Sequence, residues 1–354
     1  MTPRLALILG LACLIAAQCL ASFVLTPLRG GLVANRDVFG ALKPGEFAGT
    51  LMLGGFRGLA CDLLWLRAQR AKDEGRFYES VALAGSITRI QPRFEQIWEY
   101  LAWDMAYNLA AEVDDPAAKW AWFISGVETN AEGCLRNPQG ERLVRHLAWM
   151  FHHKGDDFRE RIAGTSWARL VNPVLERLND RLPVERRLTL LPTEPGIGNY
   201  GISARLYTAA ERAAEVNGLK LPPFVRRMVP LAIERDGNQR RNRGEHLAAL
   251  RSYLEALVSW QVALAWSAVP PADENMLEDQ RINRDIFEHN DGRLRRKVAL
   301  LAERLAPDAA ATARLLAEVE NRRWDAAEKE LASSGWKSAV GRARVRWLDE
   351  ADKQ

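Results

Sequence analysis

The chain has 354 residues, 48% of them hydrophobic and 27% charged, a balance that excludes a disordered chain and is ample for a sizeable core. Its 49 Lys and Arg face 45 Asp and Glu, a net charge of +4. That is too even for the concentrated basic face of a nucleic-acid binder, so no nucleic-acid partner is expected.

The segment Leu5 to Leu25 reads LALILGLACLIAAQCLASFVL, with no charge and with Gln18 as its most polar residue. Its length at the α-helical rise is about 31 Å, close to the hydrocarbon thickness of a bilayer. Residues 1–28 are therefore expected to be a transmembrane anchor, with Arg4 and the terminal amine favouring a cytoplasmic start. A cleaved signal peptide is the rival reading, permitted by the small residues around Ala17 and Ala21. Gln18 occupies the position where a lipoprotein box before Cys19 wants a small residue. Either reading leaves the bulk of the chain on the extracytoplasmic, periplasmic side of an inner membrane crossed once. Cys13 and Cys19 lie in this segment, so Cys61 and Cys134 remain. They form either a disulfide or two buried thiols, and no Cys or His spacing suggests a metal site.

Residues 29–55 hold Gly30, Gly31, Pro44, Gly45, Gly54 and Gly55 and read as a linker. Helical periodicity begins at Phe56, with Leu59, Leu63 and Leu66, then Val81, Ala84 and Ile87, then Ile97, Leu101 and Met105. It defines a helical block over 56–178. Residues 179–201, with Pro183, Pro192, Pro195, Gly196 and Gly198, read as a connection, and Arg187–Leu191 carries a faint strand pattern. Helices resume over 202–216, 223–236, 245–265, 276–305 and 307–333, giving a C-terminal helical domain over 202–354. No βαβ alternation appears, and the expected class is all-α.

Glu74-Gly75-Arg76-Phe77-Tyr78 is followed by Pro92, seventeen residues after the glycine. Ala68, Ala102 and Ala148 recur as small residues in register, and Trp98, Leu101, Val144, Leu147 and Phe151 fill neighbouring large positions. Here the chain resembles the tetratricopeptide repeat family, in which glycine makes the turn within a helix pair and proline ends the unit. The resemblance implies a helix-turn-helix solenoid. On it, a third unit turns at Gly155 and closes at Pro173, and an insertion at Asp114-Asp115-Pro116 interrupts the second. Departures are Arg67 at a leucine position and Glu160 at a small one. Gly244–Leu257 and Arg323–Ala327 resemble parts of further units.

In the resembled family the first helix of each unit lines a concave groove. Carried over by register, that groove shows Trp65, Gln69 and Lys72, then Glu99, Trp103 and Tyr107, then Arg145, Trp149, His152 and His153. Aromatic and Arg side chains anchor peptides well, although Trp packed between units is the alternative. His152 and His153 are adjacent and point about 100° apart on a helix, so no metal site is expected. The string Gly196 to Gly201 matches GxGxxG but lacks a preceding strand, so no cofactor is expected. The basic run Arg235–Arg243 reads as a solvated loop.

The expected function is a non-catalytic, membrane-anchored adaptor that binds a protein or peptide partner in an envelope complex. Two alternatives stand beside it. One is a carrier with an apolar tunnel for a lipid or hydrophobic ligand. The other is an all-α hydrolase, which requires a buried Asp or Glu without a basic partner, with Asp62 or Glu99 as candidates.

Overall fold

The computed structural model describes residues 56–138, 140–191, 197–219, 221, 223–268 and 277–305. The expected membrane segment Leu5–Leu25, the linker, and the expected helix over 307–333 lie outside these residues. Among the described residues every regular element is helical, and no helix is long and apolar enough to cross a membrane.

The chain begins with a hairpin of α1 (Phe56–Asp73) and α2 (Phe77–Ile90). Gly75 makes the turn at φ 74. The Gly75 N–H bonds the Lys72 carbonyl at 2.9 Å and the Arg76 N–H bonds the Ala71 carbonyl at 2.7 Å, the pattern of a left-handed glycine cap. Gly244 at φ 82 repeats the pattern between two later helices. The apolar spacing that signals α1 is not its buried face: Leu59, Leu63 and Leu66 are all more than half exposed. Its buried side is Cys61, Ala68 and Ala71, small residues that let α2 close on it.

A break at Pro92 follows. Its carbonyl accepts from Trp98 Nε1 at 2.9 Å and from Asn137 Nδ2 at 3.0 Å, which ties three segments at one point. Next come α3 (Glu95–Trp103), a π-helical turn Asp104–Leu109, a short turn Ala110–Glu112, and α4 (Pro116–Arg136). Asp115 caps α4 by accepting from the Ala118 N–H at 2.8 Å, and Pro116 takes the first helical position. The sequence that reads as an insertion is thus a helix start.

α5 (Glu141–His153) packs on α3 and α4. A 3₁₀ turn Lys154–Phe158 and a single helical turn Arg159–Ala163 lead to α6 (Ala168–Asn179). Two expectations fail here. Gly155 lies inside the 3₁₀ turn without a left-handed conformation, and Pro173 lies inside α6 rather than at its end. Gly155 is needed for space: a Cβ there would meet Asn199 Cβ at 2.9 Å.

The strand-like residues Arg187–Leu191 are pinned by two asparagines of α6. Asn179 Oδ1 accepts from the Leu188 N–H at 2.7 Å and Asn172 Oδ1 from the Leu191 N–H at 2.9 Å. Each amide also donates back to the same residue's carbonyl. The two side chains act as a partner strand would, and the segment stays on the surface of α6.

α7 (Asn199–Val216) returns against α5, with Ser203 Oγ donating to the Ala148 carbonyl at 2.9 Å and Asn199 Nδ2 to the Phe151 carbonyl at 3.0 Å. A 3₁₀ turn Pro223–Arg227 precedes α8 (Met228–Asn242), α9 (His246–Ser267) and α10 (Leu277–Leu305). Buried Glu234 on α8 holds α10 through Arg293 in a two-pronged pair at 2.7 Å and through Lys297 at 2.7 Å. The main apolar cluster runs from Cys61 to Leu301, and Ala214, Leu221 and Val225 form a smaller one. Cys61 and Cys134 are both buried and free, which decides that alternative against a disulfide.

Candidate functional site

The α3 positions 96, 99, 100 and 103, and the α5 positions 142, 145, 146 and 149, share one spacing: i, i+3, i+4, i+7. Each set is one helix face. The two faces stand side by side and form two walls of a cleft of about 630 Å³. α7 contributes Tyr207, and the turn into α8 closes the far side with Phe224, Val225, Arg227 and Met228.

The aromatic wall is built in layers. Trp103 stacks on Tyr107 with ring centres 3.9 Å apart and planes 8° apart. The π-helical turn begins directly after Trp103 and sets the spacing at which the two rings meet. Tyr107 faces the His153 ring at 5.8 Å, and His153 in turn stacks on Trp149 at 5.1 Å. Trp103 and Trp149, one from each wall, are therefore backed by a shared layer of rings. Trp103 is 38% exposed and lines the cleft.

Arg142, Arg145 and Arg227 supply the charge. Arg142 Nε pairs with Glu99 at 2.5 Å across the two walls, and Arg145 reaches Glu141 at 3.7 Å. Arg227 has no ion-pair partner among the described residues.

Two side chains of the wall carry buried polar atoms without partners: His146 Nε2 and Tyr207 Oη. Asn130 fixes the state of His146. Its Oδ1 accepts from Cys134 Sγ at 3.6 Å, so its Nδ2 donates to His146 Nδ1 at 2.6 Å. His146 Nδ1 is then the acceptor, and Nε2 carries the hydrogen. Burial pulls the His146 pKa down to about 4, with Arg142 acting in the same direction and Glu99 against it. Burial likewise pushes the Tyr207 phenol above its ordinary value. Both groups are neutral donors at neutral pH.

Of the expected groove residues, Glu99, Trp103, Arg145 and Trp149 line the cleft. Tyr107 and His153 form the ring layer behind it. Trp65 and Lys72 do not reach it. Trp65 packs on Tyr100 at 4.9 Å. Lys72 is consumed by fully buried Asp104 at 3.0 Å and lies over the Tyr100 ring at 4.8 Å, so both serve to fix Tyr100 in the wall. Gln69, on the same helix, is also outside the lining. His152 is turned inward, edge-on to Tyr200 at 5.2 Å and Tyr207 at 6.0 Å, because it sits one position off the exposed face of α5.

The sequence reading missed Gln96, Tyr100, Arg142 and His146, although the same i, i+3, i+4, i+7 spacing contained them. It also missed Tyr207 and the residues of the turn at 223–228. No local signal marks those, since they arrive from a distant part of the chain. Among the described residues no three His, Cys, Asp or Glu side chains converge in a metal-holding group. Asp62 is exposed, and Glu99 has its arginine, so neither meets the requirement for a buried unpaired carboxyl.

No known family model matches the chain, and no curated protein matches it.

Proposed function

We propose that the protein is a non-catalytic binding scaffold, a helical array of the tetratricopeptide kind, that holds a segment of a partner polypeptide in the cleft between α3, α5 and α7. The observation that carries this reading is the pair Trp103 and Trp149, presented from two helices into one open cleft and held from behind by Tyr107 and His153. Rigid aromatic anchors ringed by arginine are the side chains that contribute most to protein recognition. On this reading the apolar segment Leu5–Leu25 tethers the array to the inner membrane from the extracytoplasmic side. The tether raises the local concentration of scaffold near partners in an envelope complex.

The carrier alternative asks for an enclosed apolar tunnel. The cleft is open and carries three arginines, which favours a polypeptide over a lipid.

The test is a crosslinked pull-down from membranes, with the full chain compared against Trp103→Ala/Trp149→Ala. A defined partner is expected with the native chain and not with the variant, while circular dichroism shows both folded. Recovery of the same partner by both would reject the cleft as the binding site.

A further inference from the structure

The polar groups of the cleft are unbalanced in kind. Its lining offers Arg142, Arg145 and Arg227 as cations, Arg145 with Glu141 at 3.7 Å outside the lining, and His146 Nε2–H and Tyr207 O–H as neutral donors. Among the described residues Glu99 is the one anion of the lining, and Arg142 already holds it at 2.5 Å. Gln96 and Tyr100 are the neutral groups of the lining that can also accept, and the Tyr100 hydroxyl meets Ser80 Oγ at 3.1 Å. The site is rich in donors and short of acceptors.

The neutral donors are the more telling part. Both belong to side chains more than nine-tenths buried, and both atoms lack a partner among the described residues. A buried donor without an acceptor is costly, and a bound acceptor removes that cost. Neither atom is open to solvent, so an acceptor reaches them with a shift of the cleft's lining.

We propose that the cleft selects an acidic polypeptide segment in which an Asp or Glu stands beside an aromatic residue. The aromatic ring packs on Trp103 and Trp149, and the carboxylate is received by Arg145 and Arg227, with His146 and Tyr207 completing its acceptor sites. A carboxylate fits because it accepts only, spreads its charge over two oxygens and matches the planar fork of arginine. A lysine- or arginine-rich segment would meet like charge and leave the orphan donors unmet. The inference rests on the reading of the cleft as a polypeptide site.

The experiment is calorimetric titration of the full chain with two peptide pools. In the first a Trp is flanked by Asp or Glu; in the second the same Trp is flanked by Asn or Gln. Indoleacetate is titrated separately as a free aromatic acid. The acidic pool should bind about tenfold tighter than the amide pool, the size expected for one or two charge-assisted hydrogen bonds. In Arg145→Gln/Arg227→Gln that preference should collapse while the amide pool is unaffected. Trp149→Ala should weaken both pools. Equal binding of the two pools, still sensitive to Trp149→Ala, overturns the carboxylate selection and leaves the cleft a polypeptide site. Binding of indoleacetate without binding of either pool overturns the polypeptide reading and makes the cleft a site for a free organic acid. No binding by any probe overturns the proposal outright.

Discussion

His146 shows how one buried side chain links the site to stability. Burial holds its pKa down at about 4 from the ordinary 6.5. Above about pH 6.5 the ring is neutral folded or unfolded, and its contribution is complete. As the pH falls toward about 4, the unfolded chain takes up a proton that the folded one refuses, so stability declines through that window. At full extent the loss is about 3 kcal/mol. His152 behaves alike, lowered to about 3 by burial and then by Arg235 and His153. Replacing His146 with Gln, which can still accept from Asn130, should remove roughly half of the acid loss that the two rings produce. Denaturant titrations at pH 6.5 and pH 4 would measure it, and an unchanged pH difference in the variant would show that His146 is not held neutral by burial.

At the scale of elements, α3 and α4 lie so close that two glycines of α4 are required. A Cβ at Gly126 would meet the Ala102 carbonyl oxygen at 2.7 Å and Ala106 Cβ at 2.9 Å, and one at Gly133 would meet Trp98 Cβ at 2.8 Å. Gly126→Ala and Gly133→Ala should each destabilise by about 1–3 kcal/mol. Gly85, inside α2, has nothing within 4 Å of its Cβ position, so Gly85→Ala should be neutral or stabilising by about 0.5–1 kcal/mol. Thermal melts of the three variants check this, and equal effects at all three would contradict the close crossing. The α-helical class, the turn at Gly75 and the small faces at Ala68, Ala102 and Ala148 were legible because they follow from local spacing. The exposed side of α1 was not, since a leucine stripe reports a helix without reporting which neighbours it has. Gly155 and Pro173 misled for a related reason: a glycine serves close packing as well as turns, and proline is tolerated within α6. The α1 part of the expected groove, Trp65, Gln69 and Lys72, was displaced, and register along α1 says nothing of Asp104, which draws Lys72 away from the cleft.

At the scale of the molecule, one apolar cluster carries the helices from α1 to α10. The cleft exists only because α7 and the turn at 223–228 come back to face α3 and α5. That return is a long-range event, which is why Tyr207 and Arg227 could not be placed from spacing while Trp103 and Trp149 could. On the proposed function a partner polypeptide sits in this cleft and on no other face. The most direct measurement puts a photocrosslinking side chain at Phe224, 54% exposed on the cleft rim, and separately at Tyr78, 63% exposed on α2 beside Trp122 and outside the cleft lining. A discrete adduct in membranes is expected from position 224 that disappears with Trp149→Ala, and none from position 78. An adduct from position 78 alone, or one from position 224 indifferent to Trp149, would contradict it.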